Sequence, residues 1–158
     1  MPAILDLQIA SDATNLPDER ALMLWLNTVL SALSIESIEI TVRIVDEQES
    51  QQLNSQYRGK NSSTNVLSFV FEQPDFATDE NNTWGNYAGD LIICAPVVAR
   101  EAHEQGKQLL HHWAHMLVHG TLHLLGYDHI DDDEVEEMET LERQILLQLA
   151  IDDPYENH

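Results

Sequence analysis

From Gln108 to Leu125 the chain carries Trp113, Met116, Leu117, Leu122, Leu124 and Leu125, spread over much of the circumference of a helix. A surface helix confines its apolar residues to one stripe, so a helix apolar on most sides must be covered on most sides. Whatever fold this chain adopts, that segment belongs at its centre. The same segment also carries His111, His112, His115, His119 and His123.

The rest of the chain supplies the cover. Ala3 to Ala10 reads as a strand, and Pro17 opens a helix whose stripe is Leu22, Trp25 or Leu26, Val29 and Leu33. Ile38 to Val45 alternates as a half-buried strand does. Asp46 is expected to cap a short helix through Asn54, followed by a polar loop from Tyr57 to Asn65. Val66 to Phe71 and Asp90 to Ala95 are two further strands, joined by an acidic loop. Pro96 and Gly106 bracket a helix, and a last one runs from about Asp132 to Leu149 with Val135, Met138, Leu141, Ile145 and Leu149 inward. Right-handed crossovers would make the first three strands mutually parallel, and the direct link between the third and fourth predicts an antiparallel pair. The expectation is one α+β domain over residues 1–158. It has a mixed four-stranded sheet, three strands parallel and one antiparallel, packed with five helices that include a zincin-like metal helix.

His119, His123 and His129 stand at i, i+4 and i+10 with Gly126 between the last two. Residues four apart share a helix face, so His119 and His123 can aim at one point. A continuing helix would carry His129 to the opposite side; Gly126 can end it in the left-handed conformation and bring His129 back. Three imidazoles with a fourth position for water make a catalytic zinc pattern, whereas structural zinc usually closes its shell with cysteine. His115 lies one turn before His119, so the site is built on His115/His119 or on His119/His123. All three cannot converge, and only the second pair is followed by a glycine and another histidine. The remaining histidines, at 103, 111, 112, 115 and 158, are expected at the surface, in the core or behind the ligands. Zinc proteases with this spacing place Glu after the first histidine as general base, and here that residue is Gly120. Bound metal alone lowers the pKa of water to about 7, so a substrate with a better leaving group than an amine, such as a phosphodiester, fits better.

Seven Lys and Arg stand against 28 Asp and Glu in 158 residues, which argues against general affinity for nucleic acid. Cys94 is the single cysteine; it excludes an internal disulfide, suits a reducing cytosol, and in an apolar strand is expected as a buried thiol. The N-terminal residues do not read as a signal peptide, and no run is long enough for a membrane span. The densest positive spot is Arg58 and Lys60, beside Gly59 and near Asn54, Asn61, Thr64 and Asn65. Alone such a stretch is an ordinary polar turn. Beside an open metal site it would hold an anion and stabilise charge on phosphoryl oxygens.

Tyr57-Arg58-Gly59-Lys60, Thr64-Asn65-Val66-Leu67-Ser68-Phe69, Gly89-Asp90-Leu91-Ile92-Ile93-Cys94 and the run from His119 to His129 closely resemble the bacterial YbeY family, in order and over nearly the whole chain. Val70 departs from the proline common after Ser-Phe, which bears on edge geometry and leaves the site positions intact. The resemblance implies a cytoplasmic, zinc-dependent, single-strand-specific endoribonuclease. It would act in ribosomal RNA maturation, particularly at the 3′ end of small-subunit rRNA, and in ribosome quality control. It implies one zinc on His119, His123 and His129, with Arg58 the residue most tied to RNA cleavage; from its place in the cationic loop, Lys60 is expected to help bind the phosphate. The implied partners are single-stranded rRNA, the small ribosomal subunit and assembly factors such as the GTPase Era, with no membrane. The attacking group is zinc hydroxide or the RNA 2′-hydroxyl, and Asp128 is either an imidazole-orienting or proton-relaying group or a turn residue. The rivals are a metalloprotease, opposed by Gly120, and a non-catalytic assembly module that uses zinc for stability.

Overall fold

The computed structural model describes residues 3–71, 87–127 and 131–151. Strands β1 (Ala3–Ala10) and β2 (Ile38–Val45) flank helix α1 (Glu19–Ala32), and α2 (Glu47–Arg58) leads to β3 (Val66–Val70). After β4 (Tyr87–Cys94) come α3 (Ala95–Gln105), α4 (Leu109–Leu124) and α5 (Asp132–Gln148). The strand order is β1-β2-β4-β3. The composition of the sheet agrees with expectation, three strands parallel and one antiparallel, but the odd strand is β3. The first three strands are therefore not mutually parallel.

The reason lies in α2. A crossover helix must bury an apolar face on the sheet, whereas the buried residues of α2 are Ser50 and Asn54. Both bind the following loop: the Ser50 hydroxyl donates to the carbonyl of Thr64 (3.1 Å), and the Asn54 amide donates to that of Ser62 (2.8 Å). The chain folds back on its own helix and enters the sheet from the far edge. Helix α2 is also one turn longer than expected, so Tyr57 and Arg58 are helical. Gly59, at φ +70°, closes that turn as the left-handed residue after the helix. Asp46 stands at the N-cap position of α2 but makes no capping bond; its carboxylate instead accepts from the Ser11 hydroxyl and the Asp12 amide.

One face of the sheet carries the main core. Ile38, Ile40, Val42 and Ile44 of β2 alternate inward with Leu91 and Ile93 of β4, against α1, α4 and α5. The opposite face holds a smaller cluster of Val45, Leu67, Ile92, Cys94 and Val97. Helix α4 is central as expected, packed against α1, α3, α5, β3 and β4. Gly120 is what lets it lie so close to the sheet. A Cβ there would come within 2.8 Å of Leu91 Cδ2, 3.1 Å of Val66 Cγ2 and 3.3 Å of Ser68 Oγ. No helix among the described residues is long and apolar enough to cross a membrane.

Two outcomes test this packing. Gly120→Ala should lower stability in urea by up to about 2 kcal/mol, an overpacking cost of about 1–3 kcal/mol set against a helix-propensity gain of about 1 kcal/mol; a raised midpoint contradicts the close approach. The Cys94 thiol is fully buried and burial pushes its pKa up, so a thiol reagent at neutral pH should label the protein only as fast as it opens.

Candidate functional site

Helix α4 presents His119 and His123 one turn apart, and their Nε2 atoms lie 3.2 Å from each other. Two ligands of a tetrahedral zinc with bonds of about 2.0–2.1 Å are separated by about 3.3 Å, so the pair has the spacing that ion requires. Leu125 ends the helix and Gly126 adopts φ +101°, the left-handed turn expected of it. His129 and Asp128 lie outside the described residues, as do the acidic loop of residues 72–80 and the end of the chain from 152.

Behind the pair stands a residue that no motif or spacing singles out. Glu142 of α5 is fully buried, and its two carboxylate oxygens are divided between two histidines of α4. One accepts from His115 Nε2 at 3.1 Å, the other from His119 Nδ1. Burial alone would raise the Glu142 carboxyl, but chiefly the hydrogen bonds it accepts from His115 and His119 outweigh it and hold it well below the usual carboxylate range. His115, His119 and Glu142 themselves form a group that could hold a metal ion. The two arrangements meet at His119, whose Nδ1 faces Glu142 while its Nε2 faces His123. The expected inward stripe of α5 names Leu141 and Ile145 on either side of Glu142; only the recurrence of position 142 four residues after Met138 on that stripe marks it in the sequence.

A groove of about 720 Å³ opens in front of His119 and His123. Its far wall holds Asn54, Arg58, Lys60, Thr64 and Asn65, and its floor includes Ser68. Arg58 and Lys60 are thus brought to the same space as both histidines. The Arg58 guanidinium is fixed from below: Nη2 donates to the Ser68 carbonyl at 2.7 Å, and the group lies 5.7 Å from the Phe69 ring centroid. Its remaining N–H donors are left for an anion. Neither Asp nor Glu occurs from Ser50 through Phe71, nor from Gln105 through Tyr127. The described lining of the groove accordingly contains no carboxylate, in a chain of net charge −21.

His112 is the other buried histidine of α4. Burial pushes its pKa down, partly countered by the hydrogen bond between its Nε2 and Glu101 at 2.9 Å. Glu101 also accepts from the Asn65 amide at 3.1 Å, which ties the groove wall to α3. His103 is exposed and His111 half-buried. His103 and His111 thus stand toward the surface and His112 in the core.

A mixed sheet carrying a central histidine helix, with two imidazoles lining a groove that also holds Arg58 and Lys60, defines an α+β domain with a candidate metal and anion site. A family model described as "Endoribonuclease YbeY" matches residues 8–150, and the chain belongs to that family. Its members are endoribonucleases, which supports a role as a nuclease in rRNA processing. Among solved structures, the solution structure of TM1509 from Thermotoga maritima is similar at 21% identity with a TM-score of 0.56, over 96% of this chain and 100% of that one. At that identity the likeness concerns the fold.

Proposed function

We propose that this protein is a zinc-dependent, single-strand-specific endoribonuclease of the cytoplasm that matures the 3′ end of small-subunit rRNA and takes part in ribosome quality control. The observation that carries the proposal is the convergence of two imidazole nitrogens at 3.2 Å in a groove that holds Arg58 and Lys60 and, among its described residues, no carboxylate. His119, His123 and His129 would hold the ion. Zinc there would supply Lewis acidity toward a phosphoryl oxygen and a more acidic bound water.

The protein's own groups account for the rest. Arg58 binds the scissile phosphate through the N–H donors that Ser68 leaves, a charge-assisted contact that strengthens as negative charge grows on the phosphoryl oxygens. Because Ser68 and Phe69 already hold the guanidinium, less side-chain freedom is lost on binding. Lys60 adds a second positive charge at the rim. Gly120 leaves no carboxylate base beside His119, and the packing around it leaves no room for one without displacing Leu91 or Val66. The chain's large net negative charge predicts weak intrinsic affinity for RNA, so the small ribosomal subunit and an assembly factor such as the GTPase Era would supply specificity.

The test is cleavage of single-stranded rRNA fragments by highly purified wild type, Arg58→Ala and His119→Ala. Loss of the Arg58 contact should reduce kcat by about 10²–10³-fold with the fold intact by circular dichroism. Equal cleavage by all three preparations would mean contamination and end the enzymatic proposal. Elemental analysis of the isolated protein should find about one zinc per chain; nickel, cobalt or copper in its place would refute zinc dependence.

A further inference from the structure

We infer that Glu142 is the positioning residue of the metal site: it fixes His119 as the tautomer whose Nε2 lone pair faces His123, and His115 in turn fixes Glu142. The inference rests on the proposal that His119 and His123 are ligands, and it extends the site to a second helix.

A neutral imidazole carries one N–H and one lone pair, and which nitrogen carries which is decided by the partner of the other. An ionised carboxylate accepts only. Glu142 Oε1 faces His119 Nδ1, so that nitrogen holds the proton and Nε2 is left as the ligating atom. Glu142 Oε2 meets His115 Nε2 at 3.1 Å, which makes His115 a donor through the nitrogen it would otherwise offer to a metal. The carboxylate has no exposure to bulk solvent, which strengthens both contacts. The side-chain rings are ordered along α4 in the same sense. His115 and His119 have centroids 6.2 Å apart, whereas His119 and His123 approach to 4.7 Å with their Nε2 atoms converging.

A carboxylate behind a metal-ligating histidine fixes ring orientation and raises ligand basicity. Here that carboxylate comes from α5, so the strength of the metal site depends on the docking of a helix that contributes no ligand. A rival arrangement would make Glu142 and His115 ligands themselves, with His119, and leave His123 outside.

The experiment is zinc affinity by competition with a chromophoric chelator, independent of any nuclease assay. It compares wild type, Glu142→Gln, His115→Phe, His119→Ala and His123→Ala. The amide introduced by Glu142→Gln has one acceptor oxygen where the carboxylate has two, so this variant should bind zinc about 10–100-fold more weakly at unchanged stoichiometry. His115→Phe should bind zinc more weakly than wild type but keep one equivalent, and His119→Ala and His123→Ala should lose tight binding. Unchanged affinity in Glu142→Gln, with the two alanine variants impaired, overturns the positioning role and leaves the ligand assignment standing. Retained affinity in His123→Ala together with loss in His115→Phe overturns both in favour of the rival set. Should Glu142→Gln fail to fold, long-range ¹H–¹⁵N correlation of zinc-loaded wild type decides the matter: His119 must show a protonated Nδ1 and a metal-bound Nε2, and the reverse pattern refutes the inference.

Discussion

Everything at the site depends on how closely α4 lies on the sheet. Gly120 is the point of contact, and its missing Cβ is the space that Leu91, Val66 and Ser68 occupy. Ser68 then works in both directions. Its hydroxyl donates to the Gly120 carbonyl at 3.3 Å, while its own carbonyl accepts from Arg58. The histidine helix and the arginine that overlooks it are therefore referenced to the same residue of an edge strand.

Placing a histidine-rich helix at the centre of a fold creates a problem of polar burial, which the neighbouring helices resolve. His112 meets Glu101 of α3; His115 and His119 meet Glu142 of α5. These imidazoles take their carboxylate partners from two different helices, so the acids that matter for the interior are few and specifically placed. Glu142, held ionised in a fully buried position, is a costly residue to retain unless its hydrogen bonds are needed. The local cost and the orientation it gives His119 belong to the same interaction.

The legibility of the chain follows the range of the interactions involved. The strands, the central helix and the spacing of His119 and His123 are local periodicities, and the observed bounds of β1 and β2 coincide with the expected ones. Gly106 and Gly126 are readable as helix ends because apolar periodicity stops at each of them. Gly59 has the same left-handed conformation but follows a polar helix with no such stripe, so the last turn of α2, with Tyr57 and Arg58, reads as loop. The direction of β3 escapes the crossover rules, because Ser50 and Asn54 turn the chain back on α2 through side-chain bonds to backbone. Glu142 is hidden among the many acids of α5; only its place four residues after Met138 on the inward stripe separates it in the sequence from Glu136, Glu137 and Glu139, of which the first two are exposed.

That the described lining of the groove carries no acid has a kinetic consequence. At a distance a polyanion meets the field of a molecule with net charge −21, and over separations beyond the Debye length of about 8 Å in physiological salt that field is screened. Within that length Arg58 and Lys60 attract an anion at the groove while acids elsewhere on the surface repel it, so encounter with an anionic partner is governed by orientation at close range. The groove is then the face from which an anion can approach without meeting a described carboxylate.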